Sequence, residues 1–469
     1  VLIWIALYSG AVCKYFLFLR SILSNLLLPI LVLVFICGYI AIALEHPIKT
    51  DKTASALFTG MTCWSLLALF GESTTFSDPA IISAISEIGF RTFLEHSLAE
   101  HLFSISSILF FLMGAMTIVE VIDINGGFNL ITERVNTTSK RKLLFIIAFL
   151  SFFISSALDN LTTTIVMVSL VRKMLKDREL QLYYASIIVL AANAGGAWSV
   201  IGDVTTTMLW IGGQVSVIPI MKVLFLPSMI CMLIPLFILS AMSPMKGQFE
   251  RIKHNIKNER DDLSQALVLG LGISIFLFVP VFKSITHLPP FLGMLLGLSI
   301  LWIILEIVHK GKHLDIKANL SVTRALEKID TPSILFFLGI LLAVSALETS
   351  GLLVQAAEFL SSNLGNFDVI VFAIGILSAV VDNVPLVAAS IGMYPTHTDV
   401  SSIFAIDGKF WNFLAYCVGT GGSLLIIGSA AGVAAMGILK IDFIWYLRKI
   451  SWLALLGYVG GALLYLMFS

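Results

Sequence analysis

Two short stretches place an aspartate beside an asparagine inside long apolar runs. They are Ser156-Ala157-Leu158-Asp159-Asn160-Leu161-Thr162-Thr163 and Ser378-Ala379-Val380-Val381-Asp382-Asn383-Val384-Pro385. An ionisable side chain in such a run is costly and by default functional. Paired, interrupted hydrophobic segments at matching places in two halves are a pointer to a transport site. Each stretch is followed downstream by a second polar break. In the first half this is Asn193-Ala194-Gly195-Gly196 with Gly202-Asp203-Val204-Thr205-Thr206-Thr207; in the second it is Thr420-Gly421-Gly422-Ser423 with Gly428-Ser429. These residues offer carboxylate, amide and hydroxyl oxygens, and glycines loosen a helix enough to turn its carbonyls towards an ion. A small, hard cation such as sodium draws on this oxygen set.

The structural reading stands beside the functional one. Glycine and threonine also serve close helix packing, and threonine hydroxyls bond back to their own helix. For Gly195, Gly196 and Thr207, packing and ligation weigh equally. Asp159 and Asp203 have no Lys or Arg in their own segments to neutralise them, which favours a site. In the second half Ser429 stands where Asp203 stands in the first, and Pro385 replaces Thr162. The dominant cation site is therefore expected in the first half, with Asp382 as a second titratable group. The expected metal-contacting set is Asp159, Asn160, Thr162, Thr163, Asn193, Asp203, Thr205, Thr206, Ser378, Asp382, Asn383 and Ser423.

The elements that must position these residues follow from composition. Of 469 residues, 58% are hydrophobic and only 12% charged, against about 25% charged in ordinary soluble domains. Mean hydropathy is +0.98. Apolar runs of about 20 residues recur along the chain, which predicts an all-α polytopic membrane protein in contact with the lipid bilayer. The 29 basic and 29 acidic residues cancel, so net charge points to no partner, and no nucleic acid is expected. The five cysteines are scattered without CxxC spacing and read as small buried hydrophobes. The eight histidines read as residues of loops and segment ends. Phosphate-binding loops, nucleophile elbows and zinc motifs are lacking in the sequence, so neither an enzyme nor a bound cofactor is expected.

Apolar runs predict helices near 24–44, 54–71, 104–122, 143–158, 160–175, 221–243, 265–282, 290–308, 333–350, 368–381, 384–394 and 451–468. Interrupted segments are predicted at 182–217 and 405–445, and a polar connection at 72–103. Residues 1–23 contain Lys14 and Arg20 and fit either a leader or an extra helix. Residues 24–244 form a first half, 245–264 a cytoplasmic linker and 265–469 a second half. A further basic linker covers 309–331. Internal duplication accounts for three pairs of matching motifs: Gly114 with Gly339 (339 − 114 = 225), Asp159 with Asp382 (382 − 159 = 223), and Gly202 with Gly428 (428 − 202 = 226). Asp123 and Glu348 also correspond (348 − 123 = 225), each three residues before a glycine, and read as structural, as does Glu120. Lys140, Arg141, Lys142, Arg172, Lys173, Lys176 and Arg178 flank the first Asp-Asn pair; 363–367 and 395–399 hold no Lys or Arg. Basic residues favour the cytoplasmic side, so the two halves are expected to be inverted. Arms of ~10–16 residues are short for full spans and predict re-entrant hairpins.

At these residues the chain resembles the NhaD-type sodium/proton antiporters of the ion transporter superfamily. The likeness is carried by Ser155 to Thr164, Asn193 to Thr206, Ser378 to Leu386 and Gly419 to Gly428, and its pattern runs from about residue 24 onward. The resemblance implies two inverted repeats, hairpins meeting broken helices at mid-membrane, and alternating access by a transport domain against a scaffold. It marks Asp159, Asn160, Thr162, Asn193, Asp203, Thr205, Thr206, Ser378, Asp382, Asn383 and Ser423 as functional. It also implies exchange of sodium for protons with lithium as an alternative ion, a homodimer, and the inner membrane of a bacterium. Two other readings are a sodium-coupled symporter of a dicarboxylate or other anion, and a non-transporting receptor or assembly scaffold.

Overall fold

A computed structural model describes residues 26–468 except 44, 75, 77, 129, 131–136, 250–261, 311–317, 381–382, 398 and 400–401. The expectation for residues 1–23 lies outside the described residues, as do Asp382, most of the 245–264 linker and the middle of the 309–331 linker. The helices run in the order α1 (Leu27–Ala43), α2 (Lys52–Phe70), α3 (Pro79–Ile88), α4 (Phe90–Ile124), α5 (Lys140–Ala157), α6 (Asn160–Met174) and α7 (Arg178–Ala197). Next come α8 (Val204–Ile211), α9 (Val217–Ala241), α10 (Asp262–Thr286), α11 (Pro290–Val308), α12 (Thr331–Thr349) and α13 (Leu352–Leu364). The last are α14 (Phe367–Leu377), α15 (Asn383–Met393), α16 (Lys409–Gly421), α17 (Ala430–Leu439), α18 (Phe443–Lys449) and α19 (Ser451–Phe468). Eight helices among the described residues are long and apolar enough to cross a membrane. The protein is an integral membrane protein.

Most predicted boundaries lie within a few residues of the observed ones, with two departures. The expected connection at 72–103 is largely helical: α3 occupies part of it, and α4 starts at Phe90 and runs 35 residues. His96 and Glu100 are exposed on α4 and His101 is half-buried, its Nε2 3.1 Å from Thr349 Oγ1. These polar residues hid the helix because they interrupt the apolar run without breaking the backbone. His96 and His101 are therefore helical, and His309 is 2% exposed at the end of α11. The second departure is α13, which falls between two predicted segments.

The chain divides into two compact units that do not follow the sequence halves. One comprises the described residues of Val1–Ser106, Thr331–Asn363 and Ala388–Tyr394; the other comprises those of Ser107–Asp330, Leu364–Val387 and Pro395–Ser469. In the first unit, α2 packs against α1 and α12. The backbones of α2 and α12 meet where Gly60 faces the Gly339 carbonyl, and Trp64 Nε1 donates to Leu342 O at 2.9 Å. A side chain at Gly60 would separate them.

The second unit shows the duplication in atomic detail. Its centre is α7 and α16, which are buried along almost their full lengths. Each lies against the first arm of a hairpin, α7 on α5 and α16 on α14. Ser155 Oγ at the end of α5 donates to Ala192 O, and Ser378 Oγ just past α14 donates to Val418 O (378 − 155 = 223; 418 − 192 = 226). A Cβ on Gly202 would lie 2.6 Å from Ser155 O; one on Gly428 would lie 2.7 Å from Ser378 O. Close backbone contact at these glycines lets both broken helices touch their hairpins. Gly126 and Gly351 correspond as well: both have positive φ and both accept the chain reversal at a helix end, bonding to Asp123 O and Glu348 O. Glu120 pairs with Lys328 at 3.1 Å. Cys63, Cys231 and Cys417 are buried and Cys37 is exposed, all as free thiols.

Candidate functional site

Four helix breaks build the site, all within the second unit. The first hairpin stops at Leu158, and Asp159 caps the N-terminus of α6 by accepting from Thr162 N and Thr162 Oγ1, both at 2.7 Å. Between α7 and α8, residues 198–203 leave the helix, and Asp203 caps α8 by accepting from Thr205 N at 3.2 Å. Between α16 and α17, residues 422–429 leave the helix, and Ser429 caps α17 through Gly432 N at 3.1 Å. The second hairpin turns after Ser378, and α15 begins at Asn383. Asp, Ser and Asn are the residues that favour such starts, because their oxygens meet the free N–H groups of the first turn.

A chain of hydrogen bonds donated by side-chain amides ties these breaks together. Asn160 Nδ2 donates to Asn193 Oδ1 at 3.0 Å and to Asp203 Oδ2 at 3.3 Å. Asn383 Nδ2 donates to the same Asp203 Oδ2 at 3.4 Å. Asn193 Nδ2 donates to Ser423 Oγ at 2.8 Å and Ser429 Oγ at 2.9 Å. Asp203 is 2% exposed and Asn193 fully buried. Both halves of the chain thus contribute to a single polar cluster around Asp203. Its members Asn160, Asn193, Asp203, Asn383 and Ser423 belong to the predicted set; Ser429 stood outside that set, and its correspondence with Asp203 was the available signal.

The remaining predicted residues separate by where their hydroxyls point. Thr206 Oγ1 donates to Ser199 O and Asp203 O, and Thr207 Oγ1 to Val200 O and Asp203 O. These two threonines fasten the break onto α8. Gly195 and Gly196 serve close approach: a Cβ on either would overlap the carbonyl of Phe152 or Gly202. Ser378 ties its hairpin to α16. The buried hydroxyls of Thr163, Thr164 and Thr205, by contrast, find no hydrogen-bond partner among the described residues. A buried hydroxyl left without a partner is costly, so these oxygens suit a ligand. Trp198 braces the first break, stacked on Phe152 at 6.0 Å and edge-on to Phe225 at 5.0 Å.

The electrostatics follow from the termini. Each helix N-terminus carries roughly half a positive charge, so four sum to about two. Helix starts of this kind ordinarily receive anions. Here the carboxylates of Asp159 and Asp203 occupy two of them.

The comparisons with known proteins agree with this architecture. A family model described as "Citrate transporter" (CitMHS) matches residues 39–409. "Sodium/proton antiporter 1" of Arabidopsis thaliana is 46% identical over 434 residues, covering 92% of this chain and 71% of that protein. "Sodium/proton antiporter 2" of the same plant is 41% identical, covering 92% and 98%. The "Na(+)/H(+) antiporter NhaD" of Vibrio cholerae is 30% identical over 473 residues, covering 93% of this chain and 91% of that protein. The chain belongs to the NhaD-type antiporter family. The relatives named are transporters rather than enzymes. The plant members of the family share more identity with this chain than the Vibrio cholerae one, so a bacterial inner membrane does not follow from them.

Proposed function

We propose that this NhaD-type protein is a secondary transporter that exchanges sodium for protons by alternating access, with Asp203 at the centre of the shared site. The observation that carries the reading is the buried Asp203 carboxylate, reached by Asn160 from one half and Asn383 from the other. Its surroundings supply amide and hydroxyl oxygens, including the hydroxyl of Thr205, two residues on, which is unmatched among the described residues. Sodium is cargo here. It would be held by Asp203, by the carbonyl oxygens of Asn160 and Asn383, and by hydroxyls of Thr205 and Ser423, with Asp159 as a second acidic group.

Exchange then follows from competition. Taking a carboxylate out of water favours its protonated form, while a bound cation favours its ionised form. A site that holds either a proton or a sodium ion, and changes sides only when filled, couples the two gradients. The basic residues around the first hairpin place its mouth on the cytoplasmic side, and their scarcity around the second places that one opposite. Hairpin arms of 11 residues in α14 and α15 reach about 16 Å, half the hydrocarbon thickness, so their junctions lie at mid-membrane.

The description of the matched family raises anion transport as a second reading. The site argues against it. Two of the four helix starts that could receive a carboxylate substrate are already met by Asp159 and Asp203, and an anion beside those acids is repelled. The test uses the purified protein in sealed vesicles with an internal pH dye, given sodium, lithium and potassium pulses in turn. Sodium should move protons and Asp203→Asn should abolish that movement in folded protein. Labelled citrate uptake without cation–proton exchange would reverse the assignment.

A further inference from the structure

Lys283 occupies the last turn of α10, an apolar helix. A lysine near the end of a spanning helix ordinarily extends its ammonium to the membrane surface. This side chain turns inward instead. Its Nζ donates to the carbonyl of Trp210 at 2.7 Å and sits 4.5 Å from the centroid of the Trp210 indole. Trp210 is only 3% exposed, and Phe111 meets its ring edge-on at 6.5 Å.

Trp210 is the penultimate residue of α8, the short helix that Asp203 caps at its other end. The neighbouring carbonyls of this last turn are met by local backbone: Met208 by Gly212, Leu209 by Gln214 and Val215. The Trp210 carbonyl accepts from Gly213 N at 3.2 Å and from the ammonium as well. A cation there also opposes the negative end of the helix dipole. With eight residues, α8 is about 12 Å long and is buried from Thr205 to Trp210. A short, close-packed helix moves as one body, so a bond at its C-terminus fixes the position of the residue at its N-terminus.

We propose that Lys283 is a positioning residue for ion exchange: it anchors the C-terminus of α8 to α10 and so holds the Asp203 carboxylate in register with Asn160 and Asn383. This role rests on the antiport reading. A lysine that merely supports folding would alter the amount of active protein; one that places Asp203 alters how well the site holds sodium. The two separate in the kinetics.

The experiment measures half-saturating sodium and turnover at saturating sodium for the full chain in proteoliposomes, with folding checked by thermal unfolding. Lys283→Met keeps the aliphatic stem and removes the charge and donor. Half-saturating sodium should rise about tenfold, the scale of one charge-assisted hydrogen bond, with turnover within about twofold of wild type. Lys283→Arg should restore half-saturation to within about threefold, since charge and donors remain. If Lys283→Met does not fold, Lys283→Gln takes its place, with the same shift expected in smaller measure. Unchanged half-saturation with reduced turnover overturns the proposal, as does an Arg variant as impaired as the Met variant. Absence of sodium/proton exchange by the wild-type protein would instead overturn the antiport reading and this role with it.

Discussion

Asn193 uses both the oxygen and the nitrogen of its side chain inside the cluster, and its amide protons join the two halves of the chain. Its two amide protons go to Ser423 and Ser429 and its oxygen accepts from Asn160. Removing it leaves buried polar partners unmatched, each at a cost of about 1–3 kcal/mol. Asn193→Ala should therefore lower thermal stability by about 2 kcal/mol or more and weaken exchange at the same time; a variant with wild-type melting and wild-type sodium dependence would contradict the cross-link. The threonines offer a sharper contrast. Thr205 has a buried hydroxyl without a partner among the described residues, whereas Thr206 bonds to Ser199 O and Asp203 O. Thr205→Val should raise half-saturating sodium with little change in melting temperature. Thr206→Val should cost about 1 kcal/mol of stability by freeing a buried carbonyl. Thermal unfolding and dye-based sodium titration of the two variants, run side by side, distinguish a ligand from a fastener.

At the scale of elements, the candidate site is built from helices that stop where a neighbour passes within backbone contact. Gly202 is such a place: a Cβ there would sit 2.6 Å from Ser155 O and 2.8 Å from Gly196 Cα, both backbone atoms that cannot turn aside. Gly202→Ala should be destabilising by about 1–3 kcal/mol, seen as a lower melting temperature and reduced exchange. Gly437 in α17 is the control, since none of the described residues lies within 4 Å of its added Cβ; Gly437→Ala should leave both unchanged or raise stability slightly. An equal response from the two positions would remove the close-approach argument. The breaks themselves were legible in the sequence, because glycine pairs beside Asp or Ser have few uses inside an apolar run. The short arms of the second hairpin were legible from the sequence, whereas α5 in the first, at 18 residues, is longer than expected. What was not legible is partnership: Asn193 and Ser429 are 236 residues apart, and no local pattern says that one bonds the other. Nor could type alone separate Thr205 from Thr206, whose difference lies in side-chain direction. The helix α4 was underestimated for a related reason, since His96, Glu100 and His101 look like a connection until it is known that the first two are exposed and His101 turns towards Thr349.

At the scale of the whole molecule, the candidate site belongs to one compact unit that draws on both halves of the chain, and the proposed exchange makes a prediction about pH. If one buried carboxylate centre holds either a proton or a sodium ion, the two ligands compete. Below the proton affinity of that centre, each unit fall in pH should raise the apparent half-saturating sodium by up to about tenfold; above it the value should level off. Saturating turnover should change far less than half-saturation across the same range. The sign is fixed by the mechanism, because protons can only hinder sodium at a shared site. A separate regulatory group would act differently, changing maximal turnover with pH while half-saturating sodium stays constant. Sodium titrations of the reconstituted protein at a series of pH values, with the transmembrane pH difference held fixed, decide between them. A half-saturation that does not move with pH would mean that proton and sodium occupy different places, and Asp203 could then carry only one of the two ions.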